Sequence, residues 1–125
     1  AAPPVTLVPG ERMPVLEVEP NNSAGLSMDL AYLLRSKDGK AVREGTVRLV
    51  ASVSNDGDIV ASRLREDTGA SLGHIGTVDF EAEVYEDEGR IVVYATRRGS
   101  GDPGVEAVFR VHFTGMSSEQ FQWAF

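Results

Sequence analysis

Residues 77–85 read TVDFEAEVY, and the fold follows from how that stretch is read. Val78, Phe80, Ala82 and Val84 recur at every second position, with Asp79, Glu81 and Glu83 between them. Side chains alternate across a strand, whereas a helix repeats every three or four residues, so this is a strand with one face in a core and one in water. The same period governs the neighbouring runs. Leu26, Met28, Leu30, Tyr32 and Leu34 share a face, as do Val47, Leu49, Ala51 and Val53. Ile91, Val93 and Ala95 lie on one side of RIVVYAT, with Val92 and Tyr94 behind them. Val105, Ala107, Phe109, Val111 and Phe113 complete the set, and shorter candidates lie at 13–19 and 58–64.

Turn signals separate these runs: KDGK at 37–40, SNDGD at 54–58, YEDEGR at 85–90 and GSGDPG at 99–104. Glycine supplies the positive φ of tight turns, and Asp or Asn beside it tolerates the same region. The pattern predicts an all-β fold, an antiparallel β-sandwich of about seven or eight strands, immunoglobulin-like or jelly-roll-like. One domain covers residues 1–125, with an N-terminal arm at 1–12 and an aromatic tail at 115–125. The tail is the one helical candidate, with Ser117 or Ser118 as the cap of SEQFQWAF. The expected core is Leu30, Tyr32, Leu49, Val78, Phe80, Val93, Phe109 and Val111.

Composition bounds the function. An apolar share of 42% and a charged share of 25% are those of a globular chain, and 125 residues bury a core without a metal or a disulfide. No cysteine is present, so thiolate chemistry is excluded. No apolar run approaches the ~18 residues of a membrane helix, and AAPPVTLVPG lacks the charged start and apolar middle of a signal peptide. The net charge of −7 argues against nucleic acid as a partner, because phosphate binding needs a positive field.

Two short motifs imitate enzymes. GSGDPG fits G-x-G-x-x-G letter for letter, but that fingerprint requires the glycine turn to open a helix aimed at a pyrophosphate. After Gly104 the chain alternates as a strand, so Gly99, Gly101 and Gly104 are read as loop residues. GASLG at 69–73 fits G-x-S-x-G, with His74 close by. A nucleophile elbow needs a strand before Ser71 and a helix after it, plus a histidine and a carboxylate brought from elsewhere. His112 falls on the outward face of its strand. SVSNDGDIVASR resembles a calcium loop only in its central Asp-Gly, with Ser52 and Arg63 where the outer ligands belong. Glu81, Glu83, Glu86, Asp87 and Glu88 are read as a solvated face and turn rather than a cation site. Two separated histidines disfavour zinc, and NNS at 21–23 has the form of a glycosylation acceptor. The sequence therefore points to no catalytic residue, no cofactor and no metal. Phe121, Trp123 and Phe125, three of the chain's aromatics within its last five residues, are the candidate interface.

Taken in order, AGLSMDLAYLLRS, REGTVRLVASVSNDG, REDTGASLGHIGTVDFEAEV and GRIVVYATRRGSGDPGVEAVFRVHF resemble a β-sandwich domain of bacteriophage virion proteins, often found at the ends of tail fibres. The resemblance covers residues 24–114 and rests on strands and turns. ASLGHIG after Thr68-Gly69 is an insertion relative to that pattern, and Leu33-Leu34 replaces a more polar stretch. The resemblance implies a non-enzymatic structural module at the virion surface: a fibre, knob or capsid decoration serving assembly or host attachment. It further implies a homo-oligomer, a trimer first, that meets other virion proteins and a host-surface glycan or protein. The rival reading is an immunoglobulin-like module of a bacterial surface adhesin, suggested by DGKAVREGTVRL. Such modules usually come in tandem; the abrupt start and end of the sequence favour a stand-alone protein, though an excised domain would read the same.

Overall fold

The computed structural model describes residues 2–20, 25–98, 104–114 and 121–125. Among these residues nine strands form two antiparallel sheets. In chain order they are β1 (Val5–Leu7), β2 (Arg12–Val18), β3 (Leu26–Ser36), β4 (Val42–Val53) and β5 (Ile59–Leu72), then β6 (Val78–Tyr85), β7 (Arg90–Arg97), β8 (Val105–Thr114) and β9 (Phe121–Trp123). One sheet runs β1-β8-β3-β4-β5 and the other β6-β7-β2-β9. The sandwich inferred from alternation is the observed fold.

Topology decides between the two sandwich types. β2 pairs with β7 and β7 with β6, while β3 lies between β4 and β8, and β5 extends beyond β4. These are the neighbour relations of a variable-type immunoglobulin sandwich. The difference is at the ends. The first strand lies beside β8, where such a domain carries its last strand, and the last strand lies beside β2, where it carries its first.

Alternation places the core. Leu26, Met28, Leu30, Tyr32 and Leu34 of β3 are buried against Val47, Leu49 and Ala51 of β4, and Ala107 and Phe109 of β8 continue the layer. Val15, Leu16 and Val18 of β2, with Ile91, Val93 and Ala95 of β7, close it from the other sheet. Six of the expected core residues are buried, whereas Phe80 and Val111 are only partly so and pack against its margin. Phe80 stacks on the Tyr32 ring with centroids 5.0 Å apart, at the side where β6 ends its sheet.

Three expectations change. The chain at 121–123 is a strand rather than a helix. Its backbone joins an existing ladder, with Phe121 opposite Val18 and Trp123 opposite Leu16, which a lone terminal helical turn cannot match in hydrogen bonds. The capping serines lie outside the described residues. Within the expected arm, Val5–Leu7 forms a strand and Leu7 is buried. The candidate strand at 58–64 extends to Leu72 and takes in Ser71.

Candidate functional site

The two outer faces of the sandwich differ in what they leave open. On the four-stranded sheet the polar side chains bond to one another. The Arg12 guanidinium lies 3.5 Å over the Tyr94 ring and bonds both Glu81 and Glu83, the latter at 2.8 Å. The Tyr85 hydroxyl meets that of Tyr94 at 2.5 Å and donates to Glu83 at 3.1 Å. Arg90 bridges Glu88 and Glu17, and Gln122 donates to Glu17 at 2.7 Å. The hydrogen bond from Tyr94, burial and Glu83 push the Tyr85 hydroxyl up to about 12, and Arg12 holds the Glu83 carboxyl below its ordinary range. Beneath this lattice Val92, an outward residue, is buried.

Glu81, Glu83 and Glu88 of the acidic run are thus committed to arginines. Among the described residues no three Asp, Glu or His side chains come together in a way that holds a metal ion.

The outer face of the five-stranded sheet is open. Register aligns Arg110, Ala31, Thr46 and Asp67 in one row across β8, β3, β4 and β5. The next row aligns Val108, Leu33 and Glu44. Small residues between larger ones leave a groove of about 530 Å³ with Ala31, Leu33 and Val108 on its floor, and Arg110, Glu44 and Asp67 around it. A Cβ on Gly69 would lie 2.9 Å from the Glu44 carboxylate, so the missing side chain lets Glu44 lean across β5. Apolar floor and few polar groups at the rim are the general character of a ligand site. One row further, Arg48 donates to Asp29 at 2.7 and 3.1 Å and holds its carboxyl below the ordinary range.

A polar cluster enters between the sheets beside β5. The Tyr32 side chain crosses Gly45, its cross-strand partner, and donates to Glu66 at 2.6 Å. A Cβ on Gly45 would fall 2.3 Å from the Tyr32 hydroxyl oxygen. Arg43 lies 3.9 Å from the same carboxylate and donates to the Gly76 carbonyl at 2.8 Å. Burial, with the bond to Glu66, pushes the Tyr32 hydroxyl up to about 12. Inward-pointing charges beside an edge strand are a recognised protection against sheet-to-sheet aggregation.

Among the described residues the enzyme look-alikes lack the helices their chemistry requires. Ser71 is exposed in β5 opposite Arg43, and His74 is exposed beyond its end. No helix follows the serine; the chain passes through Gly73 into β6. Gly104 leads into β8, a strand, where a dinucleotide fingerprint needs a helix; residues 99–103 lie outside the described residues. His112 is exposed, as its strand position implied. Ser52 lies opposite Ala61 and Arg63 opposite Val50, each within a strand ladder, so no loop gathers them around an ion. The NNS acceptor lies outside the described residues.

Phe121, Trp123 and Phe125 form one aromatic group with β8. Phe121 lies 4.9 Å from the Phe113 ring, Trp123 6.4 Å and Phe125 6.0 Å from that of Phe109. Phe121 and Trp123 are half-buried, and Phe125 keeps 38% of its surface exposed. The open groove escaped sequence reading. Its only signal was the small residues Ala31 and Gly69 at outward positions, and which small residues meet depends on register.

No family model and no curated protein matches the sequence. Among solved structures, the crystal structure of the Acinetobacter baumannii phage AM24 tailspike protein is similar to this chain, with a TM-score of 0.51 at 12% identity. The match covers 90% of this chain and 24% of that one. At that identity the likeness is one of fold: the sandwich described above also occurs as about a quarter of a phage tailspike protein.

Proposed function

We propose that this chain is a non-enzymatic β-sandwich module of a bacteriophage virion, exposed at the particle surface and serving assembly or attachment to the host. The observation that carries the proposal is the fold shared with part of a phage tailspike, which agrees with the strand-and-turn resemblance read from residues 24–114. His112 on β8 has β3 and β4 between it and Ser71 on β5, which supports the non-enzymatic part, because acyl transfer needs nucleophile and base within hydrogen-bond reach. The partners proposed are further copies of the chain, as a trimer, other virion proteins, and a glycan or protein of the host surface.

Phe121, Trp123 and Phe125 are the proposed contact. Phe121 and Trp123 sit on a three-residue edge strand, and Phe125, two residues beyond it, presents aromatic surface beside rings that already cover Phe109 and Phe113. Aromatic anchors bury much area with few rotamers to freeze. Light scattering on the full chain, on a chain lacking residues 117–125, and on the mild variant Phe125→Ser tests the contact. A trimer that both changes split into folded monomers supports it. A full-length monomer, or an assembly indifferent to both, removes it.

Immunogold labelling tests the wider reading, with antibody raised to the chain and particles made by the phage or strain that encodes it. Label on particles is the expected result. Label confined to the bacterial envelope would favour the second reading, an adhesin module, which the immunoglobulin-type strand order supports.

A further inference from the structure

We infer that the free edge of β5 is a self-complementary interface that pairs two copies of this chain about a two-fold axis near Glu66, joining their five-stranded sheets. β5 spans 14 residues, longer than any other strand, and lies at the end of its sheet with no strand beyond it among the described residues. A strand at a sheet edge turns the N–H and C=O of every second residue outward, ready for another strand. β5 contains no proline and no lysine, but its inward Glu66 and its two bulges are other means of limiting edge pairing, so the contact proposed is confined to the regular stretch between the bulges. β5 also carries Val60 and Leu72, which are 67% and 74% exposed and the most exposed large apolar side chains described.

The occupant follows from the order of residues. An antiparallel pairing of β5 with itself, centred on Glu66, sets Arg65 opposite Asp67 in both halves. β5 bulges at Val60 and at Gly69–Ala70, so the match is confined to the regular stretch between them, where the same register sets Leu64 opposite Thr68. Opposite charges directly across a ladder stabilise it. Moving the centre one residue to Arg65 leaves two Arg65 side chains facing. The like charges at the dyad are the two Glu66 carboxylates, and each is already drawn inward by its own Tyr32 hydroxyl and lies near its own Arg43. Arg65 and Asp67 bond along their own strand at 3.2 Å, so both side chains stand where a partner strand would meet them. A two-fold contact on this edge uses no residue of the aromatic tail, and the two associations are separable by mutation.

The test uses charge exchange in the full chain. Arg65→Asp alone and Asp67→Arg alone each place like charges opposite one another twice, and each should weaken self-association about tenfold or more. An equimolar mixture of the two variants restores both attractive pairs and should form the heterodimer, read by light scattering and native mass spectrometry. Because each variant then reports on the other's folding, failure to fold is not mistaken for failure to pair. As a register check, Glu66→Cys should cross-link to itself under mild oxidation, since directly opposite Cα atoms lie about 4.5–5.5 Å apart, within disulfide range. Arg63→Cys should not. A wild-type monomer at 100 µM (on the order of the highest concentration such weak contacts require) overturns the inference. So does an assembly of any size whose mass ignores both charge reversals.

Discussion

Gly45 is a residue whose replacement by something barely larger should be costly. It has ordinary backbone angles, so the cost comes from space alone: the Tyr32 ring occupies the volume a Cβ needs. Gly45→Ala should destabilise the chain by about 1–3 kcal/mol, the usual penalty of overpacking, read as a lower urea midpoint at unchanged slope. Tyr32 itself makes the chain's stability fall in alkali. Its hydroxyl keeps its proton up to about 12 in the fold but loses it near 10 when unfolded. The folded state therefore binds the extra proton between those values. The stabilisation is whole below pH ~10 and drains away as pH rises toward ~12. Tyr32→Phe should flatten part of that alkaline loss, measured by urea midpoints at pH 8 and 11. Tyr85, also held near 12, contributes in the same direction. At neutral pH the same substitution should cost about 1 kcal/mol, because Glu66 keeps Arg43 nearby but loses a donor.

Elements with two different faces were legible in the sequence, and elements with two similar faces were not. β3, β4, β6 and β8 alternate because one side meets the core and the other water. β5 is exposed on nearly every residue past Ile59, so its later half carries no alternation, and Thr68 to Leu72 look like an insertion of small residues. β1 and β9 have three residues each, too few for any period, and only distant partners make them strands. The groove is invisible for a related reason: each strand alone shows a small residue, and register alone brings Ala31 and Gly69 onto one open face. Position within the sheet also grades the core. Phe109, wholly buried in β8 under the Trp123 and Phe125 rings, should cost about 3–5 kcal/mol on truncation to Ala. Phe80 lies on edge strand β6 and stays partly exposed, so Phe80→Ala should fall below that range, at roughly 1–3 kcal/mol. Equal losses in chemical denaturation would mean that β6 is packed as tightly as the centre.

For the whole molecule, the exchange of its terminal strands between sheets makes the closing contacts the most distant in sequence. β1 waits for β8 and β2 waits for β9, while β3 to β5 and β6 to β7 are hairpins that form locally. Leu7→Ala should therefore remove about 2–5 kcal/mol of stability, chiefly as faster unfolding, with the refolding rate nearly unchanged. A chevron plot separates the two arms; an equal loss in refolding rate would place β1 in the nucleus. The same connectivity also governs events on the ribosome. Val5 cannot meet Ala107 until roughly a hundred further residues have been added, about 5–20 s at ordinary bacterial elongation rates. Throughout that interval Leu7, Val15 and Leu16 travel uncovered on a nascent chain whose sandwich cannot yet shut. A chain so connected should gain from chaperones that shield apolar strands during synthesis, and its yield in a foreign host should depend on their supply.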